Sequence, residues 1–273
     1  MSDIVLTSGV RSNLLQLQKT AELITNTQTK LATGKRVNSA LDNPINYFTA
    51  QGLTNRASDL GNLLDSMSSG ISTIQAANNG ITSITKLVQS AQALASQAQQ
   101  TTDTTVRAGL ATQYDNILGQ IDQLSGDSSF NGINLLHSTT SANLTVTLNE
   151  SGSSAVTINA VNFTSAGLAL NNSANNWATT ADIGLASADL TAGLTALRSQ
   201  AQSFGSNLST VQIREDFTKA MINTLQTGSD GLTLADSNEE GANLLALQTR
   251  QQLSTTALSL ASQASQAVLR LFQ

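Results

Sequence analysis

Apolar residues recur at steps of three and four at both ends of this chain, almost to its last residue. Near the start they are Leu14, Leu17, Ala21, Ile24 and Leu31; near the end they are Leu253, Ala257, Leu260, Ala264, Ala267 and Leu271. A second stripe, Leu247, Leu258, Ala261, Val268 and Phe272, runs beside the latter. One stripe is satisfied by one partner helix, whereas two adjacent stripes need neighbours on more than one side. Chain ends are ordinarily polar and frayed, so Leu269, Leu271 and Phe272 require a burial partner. The pattern is that of a subunit that assembles with others.

The residue balance agrees. Of 273 residues, 11% are charged and 3% aromatic, against about 25% charged in an ordinary soluble domain. So few aromatics do not fill a thick globular core, but Leu, Ile and Ala suffice for thin helical layers. A weakly charged polar surface lets many identical copies lie close without accumulating repulsion. The net charge of −5 offers no basic face for nucleic acid. No stretch reaches the roughly 18 unbroken apolar residues of a membrane span, so no membrane insertion is expected. Cysteine is absent, which removes disulfides, thiol nucleophiles and Cys-based metal sites. Residues 1–10 lack the basic start and apolar stretch of a cleaved signal peptide. That fits a cytoplasmic protein, or export by a route that reads no such signal.

Periodicity predicts a mainly α fold: long helical rods, coiled-coil-like paired terminal helices and one small β-hairpin. The first helix ends before Gly34, and a polar connector leads to Asn43 and Pro44, an N-cap and first-turn pair. A long helix over 44–100 follows on Leu53, Ala57, Leu60, Leu64, Met67, Ile71, Ile74, Ala77, Ile81, Ile84 and Val88. Two successive three-residue steps between Ile71 and Ala77 mark a phase slip, and Gly61, Gly70 and Gly80 lower helix stability locally. A helix over 104–125 is expected behind Asp103 as cap. Alternation in Leu144, Val146 and Leu148 and in Val156 and Ile158 predicts a hairpin at about 142–163. Helical spacing returns over 182–227, Thr227 to Gly231 read as a break, and Asp236 with Glu239 opens the last helix like a capping box. Phe130, Asn131 and Gly132 are expected to form the turn before the hairpin, with Phe130 anchored against the rods.

Charge placement suggests that the chain folds back on itself. Residues 1–40 carry Arg11, Lys19, Lys30, Lys35 and Arg36 against Asp3 and Glu22; residues 229–273 carry Arg250 and Arg270 against Asp230, Asp236, Glu239 and Glu240. The basic Lys30, Lys35 and Arg36 and the acidic Asp236, Glu239 and Glu240 fall at one inferred junction, where a mutual contact is expected over a merely solvated face.

Catalytic readings find little support. His137 is the only histidine, in a polar loop. The carboxylate neighbours Glu215-Asp216 and Glu239-Glu240 do not face each other on a helix. No glycine pattern has the strand–loop–helix setting of a nucleotide site. No catalytic, cofactor-binding or metal residue is assigned, and no cofactor is expected.

Three blocks resemble one family. Leu31-Ala-Thr-Gly-Lys-Arg-Val-Asn-Ser-Ala-Leu-Asp-Asn-Pro44 resembles the N-terminal signature of bacterial flagellins. Phe130-Asn-Gly-Ile-Asn-Leu-Leu136 is similar to a second signature. The third runs from Ala235-Asp236 through Glu239, Leu247, Gln251, Leu260 and Ala261 to Gln266-Ala267-Val268-Leu269. They occur in the family's order and span nearly the whole chain. The resemblance implies an inner domain of terminal helices, 1–43 with 233–273, and a rod domain, 44–232. Larger flagellins insert outer domains after the hairpin, where this chain has only Ser165 to Thr180.

The resemblance further implies a subunit that polymerises into the flagellar filament for swimming motility. It would be exported as an unfolded chain, without a cleaved signal peptide, to the extracellular filament. Implied partners are other copies of itself, a flagellar export chaperone, and the hook-associated junction and cap proteins. Leu14, Leu17, Ile24, Leu258, Leu260, Val268, Leu271 and Phe272 would pack between helices and copies, at roughly 1.5–3 kcal/mol for each buried side chain. Alternatives are a hook–filament junction protein, which shares the terminal helices, and a non-flagellar secreted coiled-coil adhesin. Among flagellins, an Arg-x-Arg-Glu-Leu stretch is associated with detection by an animal innate receptor. The matching Gln89-Ser-Ala-Gln-Ala-Leu94 keeps the leucine and carries no charge, so the resemblance does not carry that detection over.

Overall fold

The computed structural model describes residues 8–138 and 143–271, with backbone alone at 265 and 268–271. The fold is mainly α. The helices are α1 (Ser8–Thr33), α2 (Pro44–Gln99), α3 (Thr104–Asp127), α4 (Thr180–Thr233) and α5 (Ser237–Leu271). Two small antiparallel hairpins lie between α3 and α4: β1 (Ser129–Phe130) with β2 (Ile133–Asn134), and β3 (Leu144–Thr147) with β4 (Ala155–Ile158). Contacts gather the chain into two compact units, Met1–Asn55 with Thr224–Gln273, and Arg56–Asn223. The expected domain boundaries were 43/44 and 232/233; these units divide inside α2 and α4, twelve and nine residues away.

The second unit is built on a core in which Met67, Ile74, Ile84, Val88, Tyr114, Leu118, Ile121, Leu190, Leu197 and Phe204 from α2, α3 and α4 are buried together. α2 stays helical through the phase slip, because the extra three-residue step turns Gly70 and Thr73 inward as well. The β3–β4 hairpin sits there: Val146 Cγ2 would lie 2.6 Å from a Cβ on Gly70. Gly80 likewise leaves room for Ser128 and for Leu136 Cδ1, which a Cβ would meet at 2.6 Å. These two glycines are packing positions rather than simple weak points. Leu144, Val146 and Ile158 turn to the core, while Thr145 and Thr157 pair on the outer face. Arg56 Nε donates to Glu150 Oε1 at 2.6 Å and ties the hairpin loop to α2.

The structure corrects three expectations. A second hairpin exists, closed by Asn131 (φ 48°) and Gly132 (φ 79°), the two positive-φ positions that a tight primed turn needs. The turn therefore forms where expected, but Phe130 does not anchor it: it is 40% exposed, while Leu135 and Leu136 are fully buried. In addition, Thr227 to Gly231 is no break, since α4 continues to Thr233. Gly228 brings α4 against Leu53, whose Cδ1 would touch a Cβ at 3.4 Å. The buried Ser229 Oγ lies 3.2 Å from Ala50 O and 3.0 Å from Thr54 Oγ1. Contacts with α2 hold this stretch helical against its glycine content.

The segment before α4 is pinned by α3. Asp115 and Asp122, seven residues apart and so on one face, each accept the amide and hydroxyl of a serine: Ser173 at 2.7 and 2.8 Å, Ser165 at 2.6 and 3.0 Å. Tyr114 donates its hydroxyl to Asn171 O at 3.0 Å, its ring 4.9 Å from that of Trp177. Burial pushes the Tyr114 pKa up to about 12, with the Asp189 and Asp115 charges adding to it. The buried Arg107 donates to the carbonyl oxygens of Ala98, Thr101 and Ala178 and to Thr180 Oγ1. One guanidinium fork thus fastens the α2–α3 turn to the start of α4.

Candidate assembly interface

The first unit is organised by a short junction. α1 stops at Gly34, whose φ of +67° is the left-handed C′ position of a helix end. The chain then pairs with the end of α4: the Arg36 and Val37 amides donate to Thr233 O at 2.7 and 3.2 Å, and the Ala235 amide to Gly34 O at 3.0 Å. Lys35 takes part through its backbone bridge with Leu234. The Arg36 guanidinium donates to Gly231 O and Leu232 O at 3.3 Å, a cation on the carbonyl end of α4. Lys30 Nζ meets Glu240 Oε1 at 2.9 Å, with the Glu240 side chain 12% exposed. Asp236 caps α5, accepting the Asn238 and Glu239 amides at 2.8 and 3.3 Å. Glu239 lies in that first turn, where the helix N-terminus favours a negative charge.

Of the six junction residues, the structure therefore joins Lys30 with Glu240 as an ion pair and uses Arg36 and Asp236 to finish helix ends. An ion pair of this exposure contributes about 0.2–1 kcal/mol; the backbone pairing sets the geometry. An open groove of about 720 Å³ runs past it, floored by Leu23, Leu234 and Leu247 and rimmed by Lys30, Asp236 and Glu240. The Asp42 carboxylate, accepting the Ser39 and Asn38 amides, is held below its ordinary pKa and fixes the connector.

From the junction α1 and α5 run antiparallel, packed on each other. Covered positions along the seam include Asn13, Leu17, Thr20, Ile24, Thr27 and Leu31 of α1 and Glu240, Leu244, Leu247, Gln251, Ser254, Leu258 and Ala261 of α5. Both series alternate steps of four and three, the heptad of a two-helix seam. Leu17, Ile24 and Leu258 lie in the seam. Leu14 and Leu260 do not: they sit on the outer faces with Leu15, Leu23, Leu245 and Leu253, and Leu253 and Leu260 are 67% and 65% exposed. The side chains of Val268, Leu271 and Phe272 lie outside the described residues. Sequence reasoning missed the polar seam positions Thr20, Thr27, Gln251 and Ser254. Each lies seven residues from another covered position, Thr20 from Thr27, Gln251 from Leu244 and Leu258, and Ser254 from Leu247 and Ala261, and that was the available signal.

His137 bridges to Asn162, and Glu215 holds Lys219 at 2.8 Å. Among the described residues no three of His, Asp and Glu gather as metal ligands, and no helix is long and apolar enough to cross a membrane. What the arrangement offers is a helix pair closed on one side and bare on the other. That defines a helical subunit built to associate with copies of itself.

Comparison with known proteins gives the same class a family. The model of the bacterial flagellin N-terminal helical region matches residues 7–141, and that of the C-terminal helical region matches residues 188–272. Flagellin FljM of Caulobacter vibrioides is 30% identical over 100% of this chain and 99% of its own length. A flagellin of Brucella melitensis is 25% identical over the whole of both chains. A crystal structure of Bacillus cereus flagellin covers 55% of this chain and 86% of that one, with a TM-score of 0.49 and 19% identity. The chain belongs to the bacterial flagellin family, a family of structural proteins, in a short form. It is a structural subunit of the flagellar filament, which assembles outside the cell and serves motility.

Proposed function

We infer that the terminal helices are the polymerising part of this flagellin and that its role is structural rather than catalytic. One observation carries the reading: α5 covers one stripe against α1 and leaves Leu245, Leu253 and Leu260 in water. Neighbouring copies supply the missing cover. Leu14 and Leu260 pack between copies, Leu17, Ile24 and Leu258 hold the pair within each copy, and Val268, Leu271 and Phe272 extend the contact. Residues 1–43 with 233–273 act as the inner domain of the filament and 44–232 as the rod domain around it. Lys30, Lys35, Arg36, Asp236, Glu239 and Glu240 form the junction.

The chain leaves the cell unfolded through the flagellar export channel, without a cleaved signal peptide. An export chaperone escorts it, and the hook-associated junction and cap proteins bound the growing filament. Sparse charge and helices that are marginal alone suit such passage. Removing Leu269–Gln273 tests the reading: the protein should keep its helical circular dichroism and lose polymerisation. Truncated protein that forms filaments of normal length overturns it.

A further inference from the structure

We propose that Leu41, Ile45 and Phe48 of one copy pack on Ile213 and Phe217 of a second copy, a head-to-tail contact that rests on the filament reading above. A closed pair can use one self-complementary patch, but an open filament needs two different patches that fit each other. Among the described residues, away from the α1 and α5 faces, the exposed large apolar side chains fall into two groups and four single residues, Val106, Phe130, Leu185 and Leu234. Scattered singles are ordinary surface; groups mark contact sites. Leu41 is 95% exposed in the turn before α2, and Ile45 and Phe48, at 78% and 63%, follow one turn apart at the helix start. Ile213 and Phe217 stand one turn apart on α4, at 66% and 55%.

Aromatic content sharpens the point. With six phenylalanines, two tyrosines and one tryptophan in 273 residues, the chain still leaves Phe48 and Phe217 in water. Tyr47 stacks edge-on to Phe48 at 5.5 Å, which stiffens the first patch. Rigid aromatics are the side chains that dominate protein contacts.

The charges around the patches match. Beside Phe217, Lys219 Nζ meets Glu215 at 2.8 Å and Asp216 at 4.0 Å, and Arg214 directly follows Ile213 in the chain. Beside Leu41 stands Asp42, whose carboxylate accepts the Asn38 and Ser39 amides at 2.9 Å. The first patch therefore offers an anion and the second a cation, so that Asp42 can face Arg214. Five apolar side chains make a small contact by the standard of about 800 Å² per partner. It works as one of several contacts repeated at every copy.

The absence of cysteine permits a clean test. Phe48→Cys and Phe217→Cys are made in separate chains, mixed in equal amounts, polymerised and treated with a short bismaleimide. The expected result is a cross-linked heterodimer at least ~tenfold more abundant in filaments than in the same mixture kept monomeric, because fixed neighbours raise the effective concentration. Ile45→Cys with Ile213→Cys forms a second pair. Wild-type protein added to either mixture carries a poorly assembling variant into filaments. Filaments without the heterodimer in both pairs overturn the contact alone. Wild-type protein that forms no filaments overturns the filament reading and this contact with it.

Discussion

Single residues here matter mostly through what they leave room for. Gly61 and Gly80 lie in the same long helix, and sequence treats them alike as helix-weakening positions. The structure separates them: a Cβ on Gly61 meets nothing within 4 Å, whereas one on Gly80 collides with Ser128 and Leu136. Gly61→Ala should therefore stabilise the monomer by about 0.5–1 kcal/mol. Gly80→Ala should destabilise it by about 1–3 kcal/mol despite the same propensity gain, since the neighbours are buried and must shift. Urea unfolding of the two variants checks both signs; equal shifts in one direction would contradict the packing account. The same limit explains Phe130. Its size suggested an anchor, but the hairpin register decides which way it points, and register at two residues per strand leaves no periodic trace. Arg107 was equally hidden, because its acceptors are backbone carbonyls, which every residue has.

At the scale of elements the sequence was most legible where burial is one-sided and long. α1, α2, α3 and α5 begin or end at capping signals that could be read directly: Asn43 before Pro44, Asp103, Gly34 and Asp236. The β3–β4 hairpin follows its alternation. The end of α4 was misread because glycine and serine at Gly228 and Ser229 look like a turn until Leu53, Ala50 and Thr54 are placed against them. In the α1–α5 seam, the apolar stripes were visible but not which stripe is used within the subunit. That choice depends on the partner helix, and polar residues at seam positions blur it. Thr20 and Thr27, 1% and 7% exposed, weaken the pair. Thr20→Val with Thr27→Val should raise the stability of the terminal helices by about 0.5–1 kcal/mol per site. The check is thermal circular dichroism of the monomer, where the lower-temperature transition should move up. An unchanged or lower transition would mean that the threonine hydroxyls support the pair.

For the whole molecule, the two units differ in how complete they are. The second buries aromatic and branched side chains around α2, α3 and α4 and fastens its loops with Arg107, Asp115 and Asp122. The first holds one polar-interrupted seam and a bare leucine face, too little burial to hold long helices firmly. Assembly is then what completes it, and the order of the ends should depend on neighbours. Amide hydrogen exchange on dilute monomer and on filaments measures this directly. Residues 74–98 and 110–121 should be protected alike in both states. Residues 14–31 and 247–264 should exchange at least ~tenfold faster in the monomer than in the filament. Equal protection of those terminal stretches in the two states would show that the helices are ordered without their neighbours and would contradict the account.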